Sequence, residues 1–119
     1  MQFMLMINED ESVYDGAEGA ALLEQVLAGH MKLAEDLVAA GVPFSGERLK
    51  PAATATTIRW KDGAESLHDG PFAETHEELG GFYIIDVPGL DEALAWARRI
   101  PVPKGGIEVR PVWPMGAEG

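Results

Sequence analysis

The sequence predicts a single α+β domain in which an antiparallel sheet carries two helices on one face. Three observations lead there. Two strongly apolar runs of strand length, Phe3 to Ile7 and Gly81 to Val87, stand far apart in the chain. Each is followed by a segment of helical periodicity, and each helix by a further strand. Length sets the number of units: 119 residues make one domain, burying about two thirds of the surface the unfolded chain exposes.

Phe3 to Ile7 is ended after one strand length by the acidic stretch Asn8-Glu9-Asp10-Glu11. Asp15 to Gly19 is glycine-rich and reads as a loop or a frayed helix start. From Ala20 to Ala40, residues Leu23, Leu27, His30, Ala34 and Leu37 recur at helical spacing, with Leu22, Val26, Leu33 and Val38 widening the stripe. Gly41 stands at the stop position, and Val42-Pro43 prevents continuation. Phe44 to Leu49 is a short strand broken by Lys50-Pro51. Thr54 to Trp60 is β-branched, Lys61-Asp62-Gly63 signals a hairpin turn, and Ala64 to His68 is the returning arm.

Asp69-Gly70-Pro71-Phe72 is a rigid turn, and Ala73 to Leu79 an acidic connector with room for one helical turn. Gly81 to Val87 is closed by Pro88-Gly89. Leu90 to Arg99 is a short helix with Leu90, Ala93, Leu94 and Ala97 on one face, and Ile107 to Trp113 alternates as a final strand. The tail after Pro114 is expected to be loose. This order is the ferredoxin-like βαββαβ arrangement with an inserted hairpin. It implies a four-to-five-stranded antiparallel sheet whose centre is the first strand and the strand after the hairpin.

Those two strands are apolar on both faces. Phe3, Leu5 and Ile7 point one way and Met4 and Met6 the other; Tyr83, Ile85 and Val87 oppose Phe82 and Ile84. Two helices cover one face, so the second needs another cover. An isologous homodimer packed sheet to sheet is the simplest one.

Composition narrows the function. With 46% hydrophobic and 24% charged residues, the composition is that of an ordinary globular chain and disorder is not expected. Nine Lys and Arg against twenty Asp and Glu give a formal charge of −11, which disfavours nucleic acid and anionic membrane as partners. Zero cysteines remove thiolate catalysis, disulfides and cysteine-based metal centres. The apolar start lacks a basic n-region and is too short to span a bilayer, so a cytoplasmic location is the default expectation. No Rossmann fingerprint, P-loop or nucleophile elbow is present, and no cofactor is expected.

At Asp69-Gly70-Pro71-Phe72-Ala73-Glu74-Thr75, followed by Gly80-Gly81-Phe82-Tyr83, the sequence resembles the DGPF-domain branch of the YCII-related family. The start Met1 to Ile7, the run Pro51 to Thr57, Asp91-Glu92-Ala93-Leu94 and the ending Ile107 to Trp113 agree with it. The resemblance implies a dimeric α+β barrel and a family mostly without an assigned reaction. It also implies a His in the first helix acting with an Asp in or after the second. His30, eleven residues before Gly41, matches the first. The place of the Asp, just before Pro101, is held by Ile100.

His30 is the leading candidate for general acid/base catalysis, because it is a titratable side chain delivered by an apolar stripe; the bland alternative is a half-buried His satisfied by Tyr83 or the backbone. Asp69 is a second catalytic candidate, set against a purely structural Asx-turn. Tyr83, Phe72, Arg48 and Arg110 are candidates for substrate binding, the arginines because a guanidinium holds a carboxylate bidentately; Glu47 and Glu108 are their alternative structural partners. His68, Glu74, His76, Glu77 and Glu78 lack metal-site spacing and read as a solvated connector, so no metal is expected. Trp60, Trp96 and Trp113 read as packing residues, Trp96 with possible reach to a partner subunit. Two functions follow: a cofactor-free enzyme of lyase, isomerase or dehalogenase-like type acting on a small anionic or aromatic molecule, or a non-catalytic dimeric accessory or ligand-sensing module.

Overall fold

A computed structural model describes residues 1–73 and 75–116. The elements run β1 (Gln2–Glu9), α1 (Gly16–Ala39), β2 (Phe44–Arg48), β3 (Thr56–Lys61), β4 (Ala64–Asp69), β5 (Glu78–Asp86), α2 (Leu90–Ala97) and β6 (Gly105–Pro111), with 3-10 turns at Glu11–Tyr14 and Ala52–Thr54. Four strands form one antiparallel sheet in the order β2-β5-β1-β6, the ferredoxin-like order with β1 and β5 central. β3 and β4 pair only with each other, as a separate two-stranded ribbon.

Register sorts the side chains by face. Phe3, Leu5 and Ile7 lie opposite Ile85, Tyr83 and Gly81 on β5 and Pro111, Val109 and Ile107 on β6. This is the helix-covered face. Phe3, Leu5, Ile7 and Ile85 close over Leu33 and Leu37 of α1, Ala93 and Ala97 of α2, and Ile100 in one buried core. On the other face Met4 pairs with Ile84 and Met6 with Phe82. Ser45 and Glu47 of β2 and Glu108 and Arg110 of β6 flank this quartet. No helix covers it, and its four apolar side chains stay partly exposed.

Helix α1 starts at Gly16, four residues before the Ala20 at which the helical pattern begins. The preceding 3-10 turn is capped by Asp10, whose carboxylate accepts from the Ser12 amide. The turn folds back on the helix at Gly19, where a Cβ would stand 2.1 Å from the Tyr14 carbonyl carbon, so only glycine permits the approach. The helix ends in a Schellman motif: Val42 N–H donates to Leu37 O and Gly41 N–H to Val38 O, both at 3.0 Å. The hairpin turn is the two-residue type the sequence signals, with positive φ at Asp62 (52°) and Gly63 (80°).

Other expectations need correction. Strand β3 begins at Thr56, because Thr54 closes a 3-10 turn begun after Pro51, its hydroxyl donating to Pro51 O. The connector holds no helical turn among its described residues; β5 starts early, at Glu78. Trp96 packs on the core with Arg99 over its ring, whereas Trp60 and Trp113 are exposed. Of the tail, residues 117–119 lie outside the described residues. The radius of gyration, 16.4 Å, exceeds the roughly 13.5 Å of a compact chain this long. No helix among the described residues is long and apolar enough to cross a membrane.

Candidate active site

Between α1 and the β2 side of the sheet lies a cavity of about 260 Å³. Leu23, Val26 and Leu27 of α1 form its apolar wall, and the polar groups come from five elements. His30 reaches it from α1, Arg48 from the end of β2, Tyr83 from β5, and Glu9 with Tyr14 from the end of β1 and the following turn.

Local sequence explains each placement. His30 follows Leu23 and Leu27 on the sheet-facing stripe. Tyr83 shares the helix-covered face with Leu5, its cross-strand neighbour. On β2 its neighbour is Gly46, where a Cβ would approach the Tyr83 ring to 3.1 Å and Phe82 O to 2.6 Å. A glycine there leaves the ring its room. Gly80 is the extra residue of a β-bulge: Ile7 pairs with Gly81, and the next residue, Asn8, pairs with Leu79. Glu9 Oε1 lies 3.1 Å from the point a Gly80 Cβ would occupy, so the bulge makes space for that carboxylate.

Two hydrogen-bonded pairs result. His30 Nδ1 and Tyr83 Oη are 2.6 Å apart, with the rings stacked at 19°. Tyr14 Oη donates to Glu9 Oε2 at 2.8 Å. Burial lowers the pKa of His30 from its ordinary 6.5, and the Arg48 charge adds to the shift. Burial raises Tyr83, and burial together with the Glu9 hydrogen bond raises Tyr14. At neutral pH the His30 pair is therefore an imidazole facing a phenol. The phenol is the stronger acid of the two and the imidazole nitrogen the stronger base, which assigns the shared proton to Tyr83 and leaves Nε2 protonated.

Arg48 forms no salt bridge among the described residues, although its charge acts on both His30 and Tyr14. It is a cation in the lining of the cavity that holds both pairs. What the arrangement can do chemically is hold a small anion and exchange a proton with it.

The structure brings together His30, Tyr83 and Arg48 from the residues the sequence singled out. Asp69, Phe72 and Arg110 lie outside the cavity lining. Asp69 ends β4, exposed, and no Asx-turn forms: the residue two places on is Pro71, which has no N–H to offer. The turn is held instead by Gly70 N–H to Ala55 O and Thr57 Oγ1 to Gly70 O, each 2.8 Å, and by Arg59, which donates to Phe72 O and lies over its ring. Arg110 pairs with Glu108 on the uncovered sheet face. Glu74 lies outside the described residues, and among the described ones no three His, Asp or Glu converge as a metal site would require. Sequence reasoning missed Glu9 and Tyr14. The available signals were an aromatic residue set in an acidic turn and the paired glycines at 80 and 81.

Fold and cavity define a ferredoxin-like α+β domain with a hydrogen-bonded His–Tyr pair between its first helix and its sheet. The chain belongs to the YCII-related family, whose domain it matches over residues 1–116. It is similar to an uncharacterised protein of Rhizobium meliloti (strain 1021), 38% identical over 115 residues that span 94% of this chain and 92% of the relative. The position before Pro101 does lie beside the His30 turn of α1, since Pro101 Cγ is 3.1 Å from where a Gly29 Cβ would stand. Ile100 there is buried in the core, and the hydrogen-bond partner of His30 is Tyr83.

Proposed function

We propose that this protein is a cofactor-free acid–base enzyme of lyase, isomerase or dehalogenase-like type acting on a small anionic molecule in the α1–sheet cavity. The observation that carries the reading is the 2.6 Å contact between His30 Nδ1 and Tyr83 Oη inside that cavity. In this reading Arg48 holds the anionic group. Tyr83 takes a proton from the substrate as its own passes to Nδ1, and the resulting imidazolium returns one proton, so the pair ends as it began. A histidine whose pKa lies below 6.5 is neutral at physiological pH and ready to act as the base.

The test is NMR of the full chain against a panel of small carboxylic acids and phenols in D₂O. His30 resonances should shift with ligand, and solvent deuterium should enter the substrate. His30→Asn should lower that exchange by about 10²-fold or more with the fold intact. Ligand shifts without exchange would favour the non-catalytic sensing module; neither response would sink the enzyme reading.

The reading extends to branch, assembly and place. The Asp-Gly-Pro-Phe turn and its Gly-Gly-Phe-Tyr sequel support membership of the DGPF branch, and the cytoplasm is the proposed compartment. The Met4, Met6, Phe82 and Ile84 quartet supports a homodimer packed through the uncovered face, giving a two-sheet α+β barrel. Sedimentation at micromolar concentration should report twice the monomer mass of 12.8 kDa; a single monomeric species would overturn the dimer.

A further inference from the structure

The proton path just proposed uses one of the two pairs in the cavity. The other, Tyr14 with Glu9, is no less built. Gly19 lets the 3-10 turn carry Tyr14 back over the helix, and the Gly80 bulge opens the space that Glu9 enters.

A phenol has one proton to give and lone pairs with which to accept. An ionised carboxylate only accepts. The Tyr14 proton is therefore committed to Glu9, at 2.8 Å, and this pair can offer a ligand only lone pairs, from the phenol oxygen and from the carboxylate. It calls for a donor. Arg48 is the reverse, a fork of N–H donors with no acceptor, and it forms no salt bridge among the described residues. Arg48 lines the same cavity as Glu9, Tyr14 and His30, so the donor end and the acceptor end belong to one site. The Glu9 charge also fixes the direction of binding, because a carboxylate placed against it would be repelled. At about 260 Å³ the cavity falls below the several hundred Å³ usual for drug-sized ligands, which points to a metabolite of few atoms.

We propose that the cavity selects a small hydroxy acid, its carboxylate paired with Arg48 and its hydroxyl donating to the Tyr14–Glu9 pair, over the matching keto acid or unsubstituted acid. This rests on the reading of the cavity as a site for small anions. A keto oxygen would bring lone pairs against lone pairs, and a methylene would leave the pair desolvated without a partner.

The test is calorimetric titration of the full chain with two size-matched series: lactate, pyruvate and propionate, then 3-hydroxybutyrate, acetoacetate and butyrate. In at least one series the hydroxy acid should bind about tenfold or more tightly than its two analogues, the size of one good hydrogen bond to a charge-assisted acceptor. Removing both acceptors, with Tyr14→Phe and Glu9→Leu together, should abolish that preference. Arg48→Gln should weaken all three. Equal affinity within both series, or a keto acid bound most tightly, overturns the selection, and the wild-type series decides this even if a variant fails to fold. Turnover of the same acids is measured alongside. Ranked binding without turnover would count against the enzyme reading and leave the selection standing; turnover without ranking would do the opposite.

Discussion

The four-stranded sheet with its helices and the β3–β4 hairpin are built from similar material and end in opposite states. Both contain alternating β-branched and aromatic strands bounded by glycine and proline, and both carry residues suited to chemistry. In the sheet each central strand has neighbours on both sides and helices over one face, so residues 53 positions apart, His30 and Tyr83, meet within 2.6 Å. In the hairpin each strand has one neighbour and no cover. Ile58, Trp60 and Leu67 share a face, and Trp60 and Leu67 are 69% and 71% exposed. Two-stranded ribbons are marginal alone in water, so this one depends on its anchors at the base, the Gly70–Ala55 and Thr57–Gly70 hydrogen bonds. The difference teaches that a catalytic residue type acquires unusual properties through cover. Burial perturbs His30 and Tyr83, while Asp69 stands in solvent at the end of an uncovered strand.

The same leucine truncation made in both regions should separate them most widely. Leu37 is 1% exposed, between α1 and the sheet. Leu37→Ala should cost about 2–5 kcal/mol, the lost transfer energy plus a cavity that the packed core cannot close. Leu67→Ala should stay within about 0.5 kcal/mol, since its side chain leaves water for nothing in the single chain. Urea denaturation of the two variants at one protein concentration measures both. A Leu67 cost above about 1 kcal/mol that grows as the protein is concentrated would break the comparison, because it would mean that a second molecule covers the hairpin.

How much of this was legible in the sequence follows the same division. The central strands, the α1 stripe, the Gly41 stop and the Asp62-Gly63 turn were readable because period and turn chemistry are local. His30 could be placed because its stripe position fixes the direction it faces, and Arg48 and Tyr83 because strand alternation does the same once the face is known. The start of α1 lies earlier than the apolar periodicity shows because Gly16 and Gly19 have weak intrinsic helix preference, and Gly19 packs directly against the folded-back turn. Glu9 and Tyr14 were missed for a related reason. Their pairing depends on a bulge and a close backbone approach, both of which exist only after β1, β5 and α1 have docked. Asp69 lies outside the cavity lining, a placement the sequence does not show because a tight turn looks the same whether or not anything packs against it.

A smaller effect should sharpen the comparison through pH. The folded-state pKa of His30 lies below its ordinary 6.5, through burial first and Arg48 second. Between that lowered value and 6.5 the unfolded chain binds a proton that the folded chain does not, so stability rises with pH across the window. The contribution is fully present above pH 6.5 and is lost as pH falls through the folded value. The other shifted groups leave the window clear. Asp10 and Asp36 are lowered from 3.8, by Ser12 and by Arg99 hydrogen bonds respectively, and their contributions are lost only at more acid pH; Tyr14 and Tyr83 are raised from 10.0 and matter only in alkali. Thermal midpoints taken between pH 7.5 and 5 should therefore fall in the wild type and flatten in His30→Asn, whatever the variant's absolute stability. Leu67→Ala, altered only in the hairpin, should keep the wild-type slope. If His30→Asn keeps that slope as well, His30 is not the desolvated imidazole in the cavity, and the contrast between covered and uncovered regions loses its electrostatic half.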